Sequence, residues 1–141
     1  MKDLLRKLNY KGYNRIVIIN AGDDFLKRAS DELSEVIIDT EIDQRCPYNF
    51  MIVFVTSIRE VNDISPVVLN NLTADGILWF CFPKKGSKLF SSDLGRDKGW
   101  KALNDMGFYG IKIVSVDNDW SALRFRNIKY IKSNSGRFPK Q

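Results

Sequence analysis

Asn49-Phe-Met-Ile-Val-Phe-Val55 and Ile77-Leu-Trp-Phe-Cys-Phe82 are runs with almost no polar side chain. A strand with one wet face alternates polar and apolar residues, whereas a strand apolar on both faces belongs in the middle of a parallel sheet covered by helices. The two runs therefore read as central strands of an α/β domain. Upstream, Arg15-Ile-Val-Ile-Ile-Asn20, closed by Ala21-Gly22-Asp23, and Glu35-Val-Ile-Ile-Asp39 read as two more parallel strands. Between them, Phe25, Leu26, Ala29 and Leu33 repeat at helical spacing and predict a helix over 24–33.

Helix signals fill the remaining intervals. Leu4, Leu5 and Leu8 predict a short helix over Asp3–Leu8 that lids the domain. Ser57-Ile-Arg-Glu60 matches a capping box, with the serine accepting from the Glu60 amide and the glutamate reaching back to the serine amide, so a helix starts at 58. Pro66 interrupts it, and Ser65-Pro66 opens a second helix through Leu72, after which Asp75-Gly76 turns the chain. Asp97 is read as the cap of a helix whose Trp100, Leu103 and Met106 face inward, with Gly107 at its left-handed end. The runs 110–116 and 121–127, joined by Asp117-Asn-Asp119, form an antiparallel hairpin, because Leu123 and Phe125 alternate with Arg124 and Arg126. Helical connections carry the parallel strands through right-handed crossovers.

A chain of 141 residues, 44% hydrophobic and 28% charged, is large enough for one core and too short for two ordinary domains. The reading is a single domain over 1–141, with a basic tail loose from about 129. No run approaches the ~20 apolar residues that cross a bilayer, and Met1–Tyr10 lacks the apolar stretch of a signal peptide. Cys46 and Cys81, with no CxxC and no histidine, form neither a zinc cluster nor a disulfide framework, and a reducing cytoplasm is the expected setting. The lack of histidine also excludes Ser-His-Asp and Cys-His catalysis. Cys81 and the aromatics Trp79, Phe80 and Phe82 are read as core.

Charge is unevenly distributed. Residues 84–101 hold six Lys/Arg against two Asp and 124–141 hold six against none, while 31–63 hold eight Asp/Glu against two Arg. Such asymmetry points to an anionic partner. The long irregular stretch 84–98 leaves a central strand at the edge where open α/β sheets hold ligands. Lys84, Lys85 and Lys88 offer mobile charge there, Ser87 and Ser91 hydroxyls, and Arg96 a bidentate fork, so together they are the candidate anion site. The competing reading pairs Arg96 with Asp93 or Asp97.

The segment from Leu72 to Phe82 resembles the corresponding strand region of class I S-adenosylmethionine-dependent methyltransferases. The runs Trp79-Phe-Cys-Phe-Pro-Lys-Lys85, Ser91–Trp100 and Asp119–Arg126 resemble an uncharacterised family of small bacterial proteins with a methyltransferase-like fold. The resemblance implies an α/β, three-layer Rossmann-like sheet of about six strands in order 2-1-3-4-6-5, with the last hairpin antiparallel. It is a trimmed version of the methyltransferase fold, missing one helix and strand between the second strand and the central one. Asn20, Gly22 and Asp39 would be the cofactor-binding residues, Asp39 toward the ribose hydroxyls. Against this, the turn Asn20-Ala-Gly-Asp-Asp24 keeps one glycine and sets two carboxylates where a carboxylate-bearing ligand would approach.

The leading functional reading is a non-catalytic or vestigial methyltransferase-like domain that binds an anionic small molecule or protein partner and no cofactor, with S-adenosylmethionine not binding usefully. The alternative is an S-adenosylmethionine-dependent methyltransferase of a small molecule. A third reading, a nucleic-acid-binding accessory protein, rests on the isoelectric point near 9.2 and the basic tail and has no recognition helix or stacking platform behind it. No membrane association is expected.

Overall fold

The structure is a computed structural model and describes residues 1–132. Its elements are α1 (Lys2–Lys7), β1 (Arg15–Ile19), α2 (Asp23–Glu32), β2 (Ile37–Asp39), β3 (Tyr48–Phe54), α3 (Ile58–Asn71), β4 (Leu72–Pro83), α4 (Lys101–Asp105), β5 (Phe108–Ser115) and β6 (Trp120–Asn127). One six-stranded sheet has the order β2-β1-β3-β4-β6-β5, as expected. β2, β1, β3 and β4 are mutually parallel, and β6 and β5 close the sheet antiparallel.

The two faces of the sheet feed two cores. Val17, Met51, Val53, Leu78, Phe80, Leu123 and Phe125 pack beneath α3 and α4 with Val61, Val68, Trp100 and Leu103. Ile16, Ile18, Phe50, Ile52, Trp79 and Cys81 pack beneath α1 and α2 with Leu8, Phe25 and Ala29. Every residue of β3 and β4 from Phe50 to Phe54 and from Ile77 to Phe82 is buried, which is why both runs lack polar alternation. The α1 lid is fastened by Trp79, whose indole Nε1 donates to the Leu8 carbonyl at 2.9 Å.

Several local expectations are corrected. α3 is one helix that runs through Pro66. Ser65 donates its hydroxyl to the Val61 carbonyl at 2.6 Å in the turn that the proline deprives of an amide, and burial of Val61, Ser65 and Val68 holds the helix together there. Ser57 accepts from the Glu60 amide at 3.1 Å as expected, but Glu60 reaches one residue further back, to the amide and hydroxyl of Thr56 at 2.7 and 2.5 Å. Asp75-Gly76 makes a bulge within β4 instead of a turn: Tyr48 pairs with Leu72 and Phe50 with Ile77, and Asp75 takes up the excess chain at φ +53. β2 starts only at Ile37, because the Val36 amide still bonds back to the Leu33 carbonyl.

Asp97 caps no helix; a Gly95–Lys98 turn and Gly99 at φ +102 intervene before α4 begins. Met106 lies past the end of α4 and is exposed, unlike Trp100 and Leu103. The β2–β3 crossover is an irregular loop over 40–47 and not a helix, so β2 leads directly into the central strand. The expected loose tail lies outside the described residues from 133 onward; before that, Ile128–Tyr130 form a short 3-10 turn capped by Asn127.

Candidate functional site

Parallel strands end together, and two concavities open along the carboxyl edge of this sheet. The first, of about 470 Å³, lies past the ends of β1 and β2 between α2 and α3. Its polar residues are Asn20, Thr40 and Glu41, set among Leu26, Ile42, Ile64 and Val67. Asn20 turns the chain out of β1 at φ +60 and donates from Nδ2 to the Phe54 carbonyl at 3.4 Å, which ties the end of β1 to the end of β3. Gly22 is the N-cap of α2 in an ordinary extended conformation, and a Cβ there would meet nothing within 4 Å. It is not among the residues that line the cleft, and its backbone shape is not one that only glycine can adopt.

Asp39 ends β2 but is not among the residues that line this cleft. Its Oδ2 accepts from Arg15 Nε at 2.7 Å and from the Tyr48 hydroxyl at 2.5 Å. Burial pushes its carboxyl up, but the bonds from Arg15 and Tyr48 outweigh this and hold it below the usual range. Asp39 thus anchors the 40–47 loop, together with Asp43, whose Oδ2 accepts from Arg15 at 3.3 Å. The acidic residue in the cleft is Glu41, two positions later, with no ion pair among the described residues. Sequence reading passed over it because a strand end was assigned by apolarity, while the turn at Thr40 decides which carboxylate reaches the opening.

The second concavity, of about 530 Å³, lies past the end of β4. Phe82, Leu94 and Ile113 form its apolar part, Lys84, Lys85, Arg96 and Lys98 its positive charge, and Asp93 contributes a carboxylate. Lys84 is tied down: its Nζ donates to Ser115 Oγ at 2.6 Å. Lys85, Arg96 and Lys98 have no ion pair among the described residues. Asp93 lines the same groove but its Oδ1 accepts from the Ile58 amide at 2.9 Å, and among the described residues Arg96 makes no ion pair with Asp93 or Asp97, so the expected alternative is not what the loop adopts. Lys98 joins the group because Gly95 and Lys98 bridge each other, and Trp100 Nε1 holds the Gly95 carbonyl at 2.7 Å.

Three other members of the expected anion set lie elsewhere. Ser87 closes a turn, donating to Asp119 Oδ1 at 2.8 Å and accepting from the Leu89 and Phe90 amides at 3.2 Å. Lys88 and Ser91 are exposed outside the groove. Among the described residues no cluster of acidic, thiol or imidazole groups could hold a metal ion, and no helix is long and apolar enough to cross a membrane.

No protein-family model matches the chain, and no curated protein matches it in sequence. Among solved structures it is similar to the N-methyltransferase NodS from Bradyrhizobium japonicum WM9, at 13% identity and a TM-score of 0.56 over 89% of this chain and 93% of that one. It is similar to a SAM-dependent methyltransferase from Aquifex aeolicus, at 10% identity and a TM-score of 0.58 over 88% and 87%. A ribosomal protein L11 methylase from Lactobacillus delbrueckii subsp. bulgaricus gives 12% identity and a TM-score of 0.55 over 87% and 74%. NodS has also been solved in complex with S-adenosyl-l-homocysteine. At these identities the likeness shows the fold, a methyltransferase-like Rossmann sheet, and fold alone does not fix an activity.

Proposed function

We propose that this protein binds an adenosyl ligand of the S-adenosylmethionine class in the β1–β2 cleft and transfers a methyl group to a small anionic molecule held past the end of β4. The observation that carries the reading is the composition and place of the cleft. A carboxylate, a hydroxyl and an amide, from Glu41, Thr40 and Asn20, stand over apolar side chains at the sheet edge where open α/β folds take their ligands. Glu41 suits the paired hydroxyls of a ribose, and Leu26, Ile64 and Val67 suit a purine face.

The nucleoside half of the ligand fits these residues better than the amino-acid half. Asp23 and Asp24 open α2 beside the cleft, where they repel a carboxylate and attract an ammonium or sulfonium group. Affinity therefore rests on the nucleoside. When bound, S-adenosylmethionine supplies an electrophilic methyl group. The chain's own contribution is to orient it through Glu41 and Asn20, and to hold an anionic acceptor with Lys85, Arg96 and Lys98 about two strand spacings, roughly 10 Å, along the same edge. A non-catalytic anion-binding domain is the second reading, favoured by the carboxylates at Asp23 and Asp24.

Calorimetry with S-adenosylmethionine, S-adenosylhomocysteine and adenosine tests the proposal. Binding of all three, weakened at least about tenfold in Glu41→Gln, is expected. If none binds at about 1 mM, the cleft is not an adenosyl site. Binding without methyl transfer to any of a panel of small carboxylates and phosphates would favour the second reading. A titration with single-stranded DNA across salt concentrations, in the wild type and in Lys85→Ala/Arg96→Ala, separates a small anion from a nucleic acid.

A further inference from the structure

The amino edge of the sheet, opposite both concavities just described, holds a second cationic cavity of about 430 Å³. It is bounded by the loop that follows α1, the Asp75 bulge of β4 and the arginines of β6. Arg124 and Arg126 project from β6 two residues apart, on one side of the strand, into this space.

The two arginines differ in what they have to bind. Arg126 grips Asp75 with two bonds, Nε to Oδ1 and Nη2 to Oδ2, each of 2.7 Å. Among the described residues that carboxylate is the only one lining the cavity. Arg124 has an open donor: its Nε is buried and has no hydrogen-bond acceptor among the described residues, the one buried side-chain nitrogen or oxygen there of which this is true. A buried guanidinium N–H without an acceptor costs free energy of the kind that proteins almost always recover by bonding it. Lys11 adds a second cation with no ion pair among the described residues. Counting Lys11, Arg124 and Arg126 against Asp75, the lining carries a net charge of +2. Thr73, Asn9 and Asn49 supply neutral polar groups, and Tyr13 a phenol.

We propose that this cavity is a binding site for the phosphate group of a small phosphorylated molecule, with Arg124 and Lys11 as its charged ligands. A dianion matches the uncompensated charge, and a guanidinium fork matches phosphate oxygens better than it matches water. The volume, within the range of small-molecule pockets, leaves room for a remainder beyond the phosphate. Burial of Arg124 beside Arg126 pulls its proton affinity down, and a bound dianion restores it. The site lies at the opposite end of the strands from the proposed adenosyl cleft, so the two stand or fall separately.

The test uses the full chain, with inorganic phosphate and glycerol 3-phosphate titrated calorimetrically at constant ionic strength and ¹⁵N spectra recorded in parallel. Saturable binding tighter than about 1 mM is expected, with amide shifts concentrated at Lys11, Gly76 and Arg124. Arg124→Met, which keeps the apolar stem, and Lys11→Ala, on an exposed position that does not support the core, should each weaken it at least about tenfold. Arg96→Ala and Glu41→Gln should leave the ligand-induced shifts at Lys11, Gly76 and Arg124 unchanged. Tighter binding of glycerol 3-phosphate assigns the site to a phosphate ester, and equal or tighter binding of phosphate assigns it to the free ion; both support the site. No saturable binding, or binding reduced by Arg96→Ala and not by Lys11→Ala, overturns it, as does equal affinity for acetate.

Discussion

Tyr48 donates its hydroxyl proton to Asp39 across 2.5 Å from a ring that is wholly buried, while the same oxygen accepts from the Asp43 amide at 3.1 Å. One residue of β3 thereby fastens the start and the middle of the loop that replaces a crossover helix. Asn71 completes the fastening, with its side chain donating to the Asp43 and Cys46 carbonyls at 3.2 and 2.8 Å. A parallel connection without a helix has few backbone bonds of its own, and these side chains supply the missing partners.

Tyr48→Phe should therefore destabilise the protein by about 1–3 kcal/mol, the usual range for losing a buried bond to a charged acceptor, read by chemical denaturation. Burial and the Asp39 contact push the Tyr48 phenol from 10.0 up to about 12. Folding favours its neutral form, so this contribution is complete below about pH 10 and is lost as pH rises toward 12. Asp39 has the opposite sign: its carboxyl is held below 3.8, so its contribution is present above that value and disappears as pH falls through the depressed one. The difference between wild-type and Tyr48→Phe stability should shrink above pH 10; a difference that stays constant there would show that the hydroxyl does not titrate with folding.

Gly76 follows the bulge residue Asp75, and an added Cβ would lie 2.7 Å from Leu72 Cδ1 and 2.9 Å from Thr73 Oγ1. Gly76→Ala should cost about 1–3 kcal/mol, as overpacking does. Asp75→Asn keeps a residue type that tolerates positive φ and loses only a part-exposed ion pair to Arg126, so its cost should stay below about 1 kcal/mol. Melting both variants checks the order, and an Asp75→Asn loss larger than that of Gly76→Ala would refute it.

Pro66 lies in the interior of α3, where proline is about 3 kcal/mol worse than alanine. Some of that is offset by the stiffening proline gives the unfolded chain. Pro66→Ala should stabilise the protein by about 1–2 kcal/mol, seen as a higher melting temperature. Unchanged or lower stability would mean that the ring packs usefully against its surroundings.

Cys81 is fully buried in β4, and burial pushes its thiol far up; Cys46 is part-exposed in the crossover loop. A disulfide-exchange reagent should titrate one thiol in the native protein and two in denaturant. Rapid reaction of both thiols in the native state would mean that β4 opens locally.

The central strands, their parallel direction and the final hairpin were legible because each is written in a local pattern, whereas the strand order followed from the family resemblance. Double apolarity marks β3 and β4, and alternation at Leu123 and Phe125 marks the face of β6 that packs under α3 and α4, although Ala122 on the opposite face is buried too. The Ser57 cap and the left-handed Gly107, at φ +88, are likewise local, since each acts within one turn of chain. Pro66 misled because propensity is local and the packing that overrides it is not.

The sites depend on longer distances. Whether Asp39 or Glu41 faces the cleft depends on Tyr48 and Arg15, 9 and 24 positions from Asp39. Arg96 keeps its charge free because Asp93 is drawn to an amide 35 positions away. Arg126 takes Asp75 from across 51 positions, and the buried Nε of Arg124 has no acceptor among the described residues. From sequence alone the secondary structure and its layering follow, because periodicity records burial along one element. Which charges are consumed and which remain open to a ligand is decided by partners brought together from distant strands, and that depends on the three-dimensional arrangement of the sheet.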